Sequence, residues 1–209
     1  MNPTAPARTL LHTRHIVCHA YERADGLIDV EGELRDITPD GTDLLFRVAP
    51  PGAAIHDMRV VMTVDRSLVV HGVTTQMLET PTRYCPQIEH AYRALAGLQI
   101  GPGWRQQVKA RVGGVHGCTH VTELILGPMA TTAMQARFAI QRAQPEWRGR
   151  FEGDTPLPRP AMLDTCYSYR GDGDAAKIFW PEHRRPKLPS VDRPGADDEH
   201  QSCGGEAHS

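Results

Sequence analysis

The sequence predicts an α+β fold, in which an antiparallel sheet of hairpins is followed by helices packed on one face of the sheet. In the first part of the chain, polar and apolar residues alternate in short runs that are separated by turn residues, as in antiparallel strands. After residue 85, apolar residues recur three or four positions apart, which is typical of helices. Strands first and helices afterwards favour a sheet with a helical layer.

The strands are predicted as two hairpins joined by a loop. The first hairpin covers residues 12–37, where polar and apolar positions alternate around a turn at Asp25-Gly26. A loop rich in Pro, Asp and Gly follows, and a short strand is predicted within it over residues 44–48. Two β-branched runs, at residues 58–64 and 68–74, predict the second hairpin.

The helices are predicted from apolar spacing and from the positions of proline and glycine. A helix over residues 86–97 begins with a proline, which suits a first helical turn, and ends in a glycine. A short helix is predicted over residues 104–112. The longest helix extends to about residue 142, and Thr119 is its expected N-cap.

Changes in composition divide the chain into three segments. Residues 1–145 form the predicted α+β core domain. Residues 146–185 are rich in Pro, Arg and Asp but contain two apolar islands, so they are interpreted as a return segment that packs on the core. Residues 186–209 have almost no apolar content and are predicted to be a disordered tail.

Composition excludes several classes of function. The 209 residues contain 23 Lys+Arg and 25 Asp+Glu, and this balance provides no basic field for a nucleic-acid backbone. Apolar runs fall short of the roughly 20 residues that span a bilayer, and the N-terminus shows no secretion signal. Five dispersed cysteines favour reduced thiols. We therefore expect a cytoplasmic protein with no nucleic-acid or membrane partner.

The chemistry-bearing residues are densest in the segment 116–120, His-Gly-Cys-Thr-His, where a glycine-rich loop meets the longest predicted helix. A helix start stabilises a thiolate, which favours metal ligation by Cys118 and, by the same argument, by Cys85. Sulfur, nitrogen and oxygen ligands together suit zinc or an iron–sulfur centre. If these groups converge at one end of the sheet, the predicted metal ligands are Cys85, Cys118, His120, His56 and Asp57.

Two other functions are compatible with the same residues. Cys118 is a candidate nucleophile, with His116 or His120 as its base, in a cysteine-dependent enzyme. Free cysteines are also often buried as small hydrophobic residues. In that interpretation the Cys and His side chains only pack, and the protein is a non-catalytic interaction module.

The order of the motifs over about residues 55–142 resembles the NifU-like iron–sulfur scaffold family. The resemblance is carried by His56-Asp57-Met58 before a hairpin, Cys85 at a helix start, and Cys118-Thr119-His120 at the start of the last helix. It implies a NifU-like core in which Asp57, Cys85, Cys118 and His120 are ligands. The implied role is that of a metal or iron–sulfur carrier or accessory protein, with a client enzyme or another protein as partner.

The sequence departs from the NifU-like pattern in ways that affect the expected ligands. No cysteine stands immediately before His56, which occupies the position where that family has glycine, and Thr119 separates Cys118 from His120. The first thiolate ligand is therefore missing. These departures favour a mononuclear metal or a role without metal, unless Cys166 supplies a third thiolate from the return segment.

The whole chain before the tail resembles more closely an uncharacterised bacterial family of unknown function, which implies no activity. The matching segments are Tyr21-x-Arg23-x-Asp25-Gly26-Leu27-x-Asp29-x-Glu31-Gly32, Ile55-His56-Asp57-Met58, Gly101-Pro102-Gly103-Trp104, Gly117-Cys118-Thr119-His120-x-x-Glu123-Leu124 and Leu163-Asp164-Thr165-Cys166.

Overall fold

The computed structural model describes residues 6–151, 153–160 and 162–186. The chain divides into two compact units, with the boundary between Trp147 and Arg148. The first unit contains an antiparallel sheet and several helices, and the predicted α+β class is confirmed. The NifU-like core stays a prediction.

Both predicted hairpins are confirmed, and together they form one sheet. The strands are β1 (Thr13–Glu22), β2 (Ile28–Ile37), β3 (Thr42–Asp43), β4 (Val48–Ala49), β5 (Ala54–Val64) and β6 (Val70–Glu79). Strands β1, β2, β5 and β6 form a four-stranded antiparallel sheet in that spatial order, and β3 pairs with β4 alone. The longer strands β5 and β6 extend the second hairpin beyond its predicted bounds, which brings His56 into the sheet.

The strand predicted over residues 44–48 is wrong. Residues 45 and 46 form a bend between β3 and β4, and Leu45 has a left-handed φ of 68°. The Asp43 carboxylate accepts a hydrogen bond from the Leu45 N–H at 2.9 Å, and the Leu44 N–H donates to the Arg47 carbonyl at the same distance. These local bonds compete with an extended backbone, so the apolar run turns instead of continuing as a strand.

The predicted helical part of the first unit is present, but with mixed helix types. Its segments are a 3-10 helix (Cys85–Leu95), α1 (Trp104–Val112), a 3-10 turn (Gly114–His116), α2 (Thr119–Leu124), a π-helical segment (Ile125–Met129) and α3 (Ala130–Arg142). The π segment contains Pro128, which lacks the N–H that a regular α-helix needs. Cys118, and not Thr119, is the N-cap of α2, so Thr119 is the first helical residue.

The core lies between one face of the sheet and the helices. Alternate residues of β2 share this face, and Ile28, Val30 and Leu34 are buried there. Gly32 belongs to the same series, and a Cβ at this position would come within 2.7 Å of the Met129 sulfur. The π segment therefore packs closely over β2. The next core-facing position after Leu34 is the buried Asp36, which begins the site described below.

The second unit contains short helical segments and one buried arginine. Its segments are a 3-10 helix (Pro145–Phe151) that crosses the unit boundary, a 3-10 turn (Tyr167–Tyr169), α4 (Asp174–Phe179) and a 3-10 turn (Glu182–Arg184). Buried Arg184 donates hydrogen bonds to the carbonyls of Thr155 and Arg150. The packing of the predicted return segment on the core stays a prediction. Of the predicted tail, residues 187–209 lie outside the described residues.

Over the ranges that the structure describes, none of the helices combines the length and the apolar character that crossing a membrane requires.

Candidate metal centre

The site is built around the carboxylate of Asp36, whose side chain is only 1% exposed. Arg14 is its cross-strand partner on β1 and donates two hydrogen bonds, from Nε to Oδ1 at 2.7 Å and from Nη2 to Oδ2 at 2.8 Å. A two-point arginine–carboxylate pair of this kind fixes the orientation of both planar groups. The Asp36 carboxylate is therefore ionised and held rigidly at the core face of the sheet.

Three histidines from three parts of the chain surround this carboxylate. His56 is the partner of Asp36 on β5, and its Nδ1 lies 3.0 Å from Oδ2. His120, in the first turn of α2, places Nε2 at 3.8 Å from the same oxygen. His12 precedes β1, and its Nε2 lies 3.2 Å from Oδ1. The rings of His56 and His120 lie against each other, with centroids 3.9 Å apart.

Asp36, His56 and His120 have the spacing of a shared ligand set. Each offers one ligand atom, and these atoms all lie within 4.8 Å of one another. Among the described residues, no other group of three or more Asp, Glu, His or Cys side chains has its ligand atoms this close together. Two atoms that each bind one ion at about 2.1 Å lie about 3.0 to 3.4 Å apart. The nitrogen–oxygen distance of 3.0 Å already suits a shared ion, the one of 3.8 Å must shorten by less than about 1 Å, and the distance between the two ligand nitrogens is at most 4.8 Å.

Residues 12–135 match the family model described as "Protein of unknown function (DUF2889)". The chain belongs to this DUF2889 family. The match confirms the resemblance to a family of unknown function, and the DUF2889 region contains every residue of the site described above. No curated protein and no solved structure matches the chain.

The charges of the DUF2889 site favour metal binding at neutral pH. Burial raises the pKa of Asp36, but hydrogen bonds from Arg14 and His12 outweigh burial and hold this pKa at about 2. Burial lowers the pKa of His56, and the neighbouring His120 lowers it further. Burial, followed by the charge of Arg14, lowers the pKa of His120. An ionised carboxylate and neutral imidazoles are the forms that bind metals, so few protons need to leave.

Of the predicted cysteine ligands of the DUF2889 chain, Cys118 contacts a member of this group and Cys85 lines the same cavity. The Cys118 sulfur is 3.9 Å from Nδ1 of His120, on the side of the ring away from the nitrogen that faces Asp36. The buried Tyr92 hydroxyl fixes the Cys118 backbone, because it lies 2.8 Å from both the N–H and the carbonyl oxygen. Cys85 and Cys118 line the same cavity of about 590 Å³, together with His56 and His120.

The remaining predicted residues lie elsewhere. Neighbouring residues of a strand point to opposite faces of the sheet, so Asp57 does not share the face of His56. Asp57 is paired in register with Arg35, whose Nε lies 3.8 Å from its carboxylate, and it is not in the ligand group. His116, the alternative base, is exposed in its 3-10 turn. The carboxylate in the converging group is that of Asp36, and ligation by Asp57 stays a prediction.

Sequence reasoning missed Asp36 and Arg14, although the sequence contains a signal for Asp36. In the DUF2889 chain, Asp36 continues the even-numbered series of β2 that includes Val30 and Leu34. A carboxylate at a core-facing position needs a partner, because an unpaired buried charge is strongly unfavourable. The alternation therefore indicates a buried polar site at Asp36, but it does not identify the residues that surround it.

Proposed function

We propose that the protein binds one transition-metal ion, zinc or iron(II), through Asp36, His56 and His120. The observation that supports this proposal is the convergence of a buried, ionised carboxylate and two neutral imidazoles on one point. Two imidazoles and one carboxylate are a recurring ligand set of open zinc and iron(II) sites. Because both histidines line a cavity, the remaining coordination positions are accessible to water or a ligand.

A single ion suits these ligands better than an iron–sulfur cluster. Iron–sulfur clusters are held mainly by cysteine thiolates. Oxygen and nitrogen atoms form the group that converges here, and the Cys118 sulfur lies next to His120 on the other side of its ring. In this arrangement Cys118 accepts a hydrogen bond from His120 Nδ1 and orients the ring toward the ion, as partners of ligating histidines commonly do.

The proposed role is that of a metal-dependent accessory or carrier protein that serves a client enzyme. Cys85 and Cys118 are free thiols, which suits the reducing cytoplasm. A carrier must release its ion. We therefore expect transfer of zinc to an excess of a soluble chelator within minutes, whereas an enzyme that keeps the ion for catalysis retains it for hours.

The test is metal stoichiometry in protein purified without a histidine tag. After dialysis against zinc or iron(II), elemental analysis should find one ion per chain in the wild type. His56→Ala and His120→Ala should each weaken the affinity by at least about 100-fold, because each removes a direct ligand.

A matched control for these variants is His71→Ala. His71 is an exposed histidine of β6 that contacts Asp65 at 3.4 Å, and its removal should leave the metal affinity unchanged. Wild-type protein that retains no stoichiometric ion contradicts the proposal. Equal affinities of the wild type and His120→Ala also contradict it.

A second function is favoured by one specific observation, the alignment of Cys118, His120 and Asp36. The Cys118 sulfur faces one ring nitrogen of His120 at 3.9 Å, and the other nitrogen faces Asp36 at 3.8 Å. This is the order of nucleophile, base and orienting carboxylate in cysteine-dependent enzymes. We propose it as the alternative activity of the metal-free protein.

Thiol alkylation tests the alternative. In metal-free protein at neutral pH, iodoacetamide should modify Cys118 faster than Cys166, which is an exposed free thiol. His120→Ala should abolish the difference, because the base is lost. If Cys118 reacts no faster than Cys166, the nucleophile function is wrong.

A further inference from the structure

The cavity lined by His56 and His120 has the size of a small-molecule site. Its volume of about 590 Å³ lies within the roughly 300 to 1,000 Å³ of typical ligand pockets. His56 and His120 form one wall. The other walls come from the segment after β6 and from the segment at the start of α2, which contribute Pro81, Thr82, Tyr84, Cys85, Gln87, Ile88, Val115, Gly117, Cys118 and Thr119. A ligand in the cavity therefore lies next to two of the three proposed ligands, His56 and His120.

The walls away from the ion are uncharged, and apolar side chains form part of them beside Thr82, Gln87 and Thr119. Met58 is buried in the cavity lining, and Ile88 is half-buried against the core. At the rim, Val115 is 90% exposed and Tyr84 is 48% exposed, with the exposed Phe46 packed edge-on against the Tyr84 ring. Large exposed apolar side chains that cluster around a cavity are typical of a binding surface. An apolar ligand body would cover them.

Charge is concentrated at the end of the cavity that holds the ion. Among the described residues that line the cavity, none is Lys, Arg, Asp or Glu. Behind the ligands, Arg14 and Asp36 neutralise each other as an ion pair. A bound divalent ion would therefore carry most of the uncompensated charge, and an anionic head group would be attracted to it.

We infer that this cavity binds a small organic acid. Its oxygen-anion head group coordinates the ion held by Asp36, His56 and His120, and its aromatic or branched aliphatic body packs against Ile88, Tyr84 and Val115. This inference rests on the proposed metal site. It goes further, because it names the class of ligand and the residues that select its apolar part.

The experiment uses the full chain loaded with cobalt(II), whose visible spectrum reports changes in its ligands. The probes are acetohydroxamate and benzohydroxamate, which share one oxygen-anion head group and differ in the phenyl ring. Benzohydroxamate should bind at least about 10-fold tighter, because the ring buries apolar surface in the cavity. Titration of free cobalt(II) with both probes corrects for any difference in their intrinsic affinities.

Val115→Asp tests the apolar wall without touching a metal ligand. Val115 is almost fully exposed, so the substitution should leave folding and cobalt(II) affinity unchanged, and it should weaken benzohydroxamate binding at least about 5-fold. Val17→Asp, at an exposed position of β1 outside the cavity lining, is the matched control and should have no effect.

The outcomes separate the two proposals. Absence of stoichiometric cobalt(II) binding overturns the metal site and this inference with it. Cobalt(II) binding with equal corrected affinities for the two hydroxamates overturns only this inference. A preference for benzohydroxamate that Val115→Asp leaves unchanged also overturns it, because the ring then binds outside the assigned wall.

Discussion

Replacing Asp36 with asparagine tests whether the buried carboxylate organises the site. Asparagine keeps the shape of the side chain but loses the charge, and its amide N–H₂ faces donors of Arg14 or His56. Removing one partner of a buried ion pair costs about 3 to 5 kcal/mol. The Arg14 side chain is 38% exposed and regains water when its partner is lost, which places the expected loss near the lower end, at about 3 kcal/mol.

The assay is unfolding of metal-free protein in urea and by heat, followed by circular dichroism at neutral pH. For a chain of this length, about 3 kcal/mol corresponds to a decrease of about 6 to 12 °C in the melting temperature. Glu33→Gln is the matched control, because it removes one charge from the same strand at an exposed pair with Arg59. The control should change the free energy of unfolding by less than about 0.5 kcal/mol.

The pKa of Asp36 adds a pH dependence to this prediction. Its value of about 2 in the folded protein lies below the ordinary 3.8. A carboxylate whose pKa falls on folding stabilises the protein above its unfolded pKa, and this contribution is lost as the pH falls through the folded pKa. The part of the stability difference between the wild type and Asp36→Asn that comes from ionisation of the Asp36 carboxylate should therefore be complete above pH 3.8 and shrink towards pH 2. A neutral-pH difference below about 1 kcal/mol would refute the reasoning.

Three further predictions concern packing, the Cys118 backbone and metal affinity. Gly32→Ala should destabilise the protein by about 1 to 2 kcal/mol in urea unfolding, because the new Cβ meets Met129. Gly72→Ala is the control in the same assay, because open space surrounds Gly72 and the new Cβ causes no steric clash. Tyr92→Phe should cost about 1 to 3 kcal/mol in the same assay and speed alkylation of Cys118, because the Cys118 N–H loses its buried partner. Zinc affinity, measured by competition with a chelator dye, should change little between pH 8 and pH 6.5 and should fall below pH 6.5. The reason is that protons compete for the two ligand histidines only below their ordinary pKa of 6.5. A steep change in affinity above pH 7 would indicate other ligands.

Much of the fold could be predicted because the hairpins and helices follow from local patterns. Alternation over residues 12–37 defines β1 and β2, and apolar spacing defines α1 and the long helix. The strand predicted over residues 44–48 was wrong, because the composition of this run suits a strand while the Asp43 carboxylate holds the Leu45 backbone in a turn. Local hydrogen bonds of this kind favour the turn over a strand, and composition does not reveal them.

The sequence indicated two members of the candidate site, His56 and His120, but not Asp36, because the position of Asp36 beside them depends on strand register. His56 and His120 attract attention by residue type, and the structure brings both to one carboxylate. Asp57 was predicted as a ligand because it is adjacent to His56 in the sequence, although adjacent residues of a strand face opposite sides of the sheet. Asp36 meets His56 only through the pairing of β2 with β5, and this register depends on tertiary packing.

X-ray absorption at the zinc edge, on tag-free protein loaded with one equivalent of zinc, identifies the ligand atoms themselves. We expect nitrogen and oxygen ligands at about 2.0 to 2.2 Å, with the scattering pattern of two imidazoles, and this pattern should weaken in His120→Ala. Sulfur at about 2.3 Å as a principal ligand, or zinc that washes out of the wild type, would contradict the assignment of Asp36, His56 and His120.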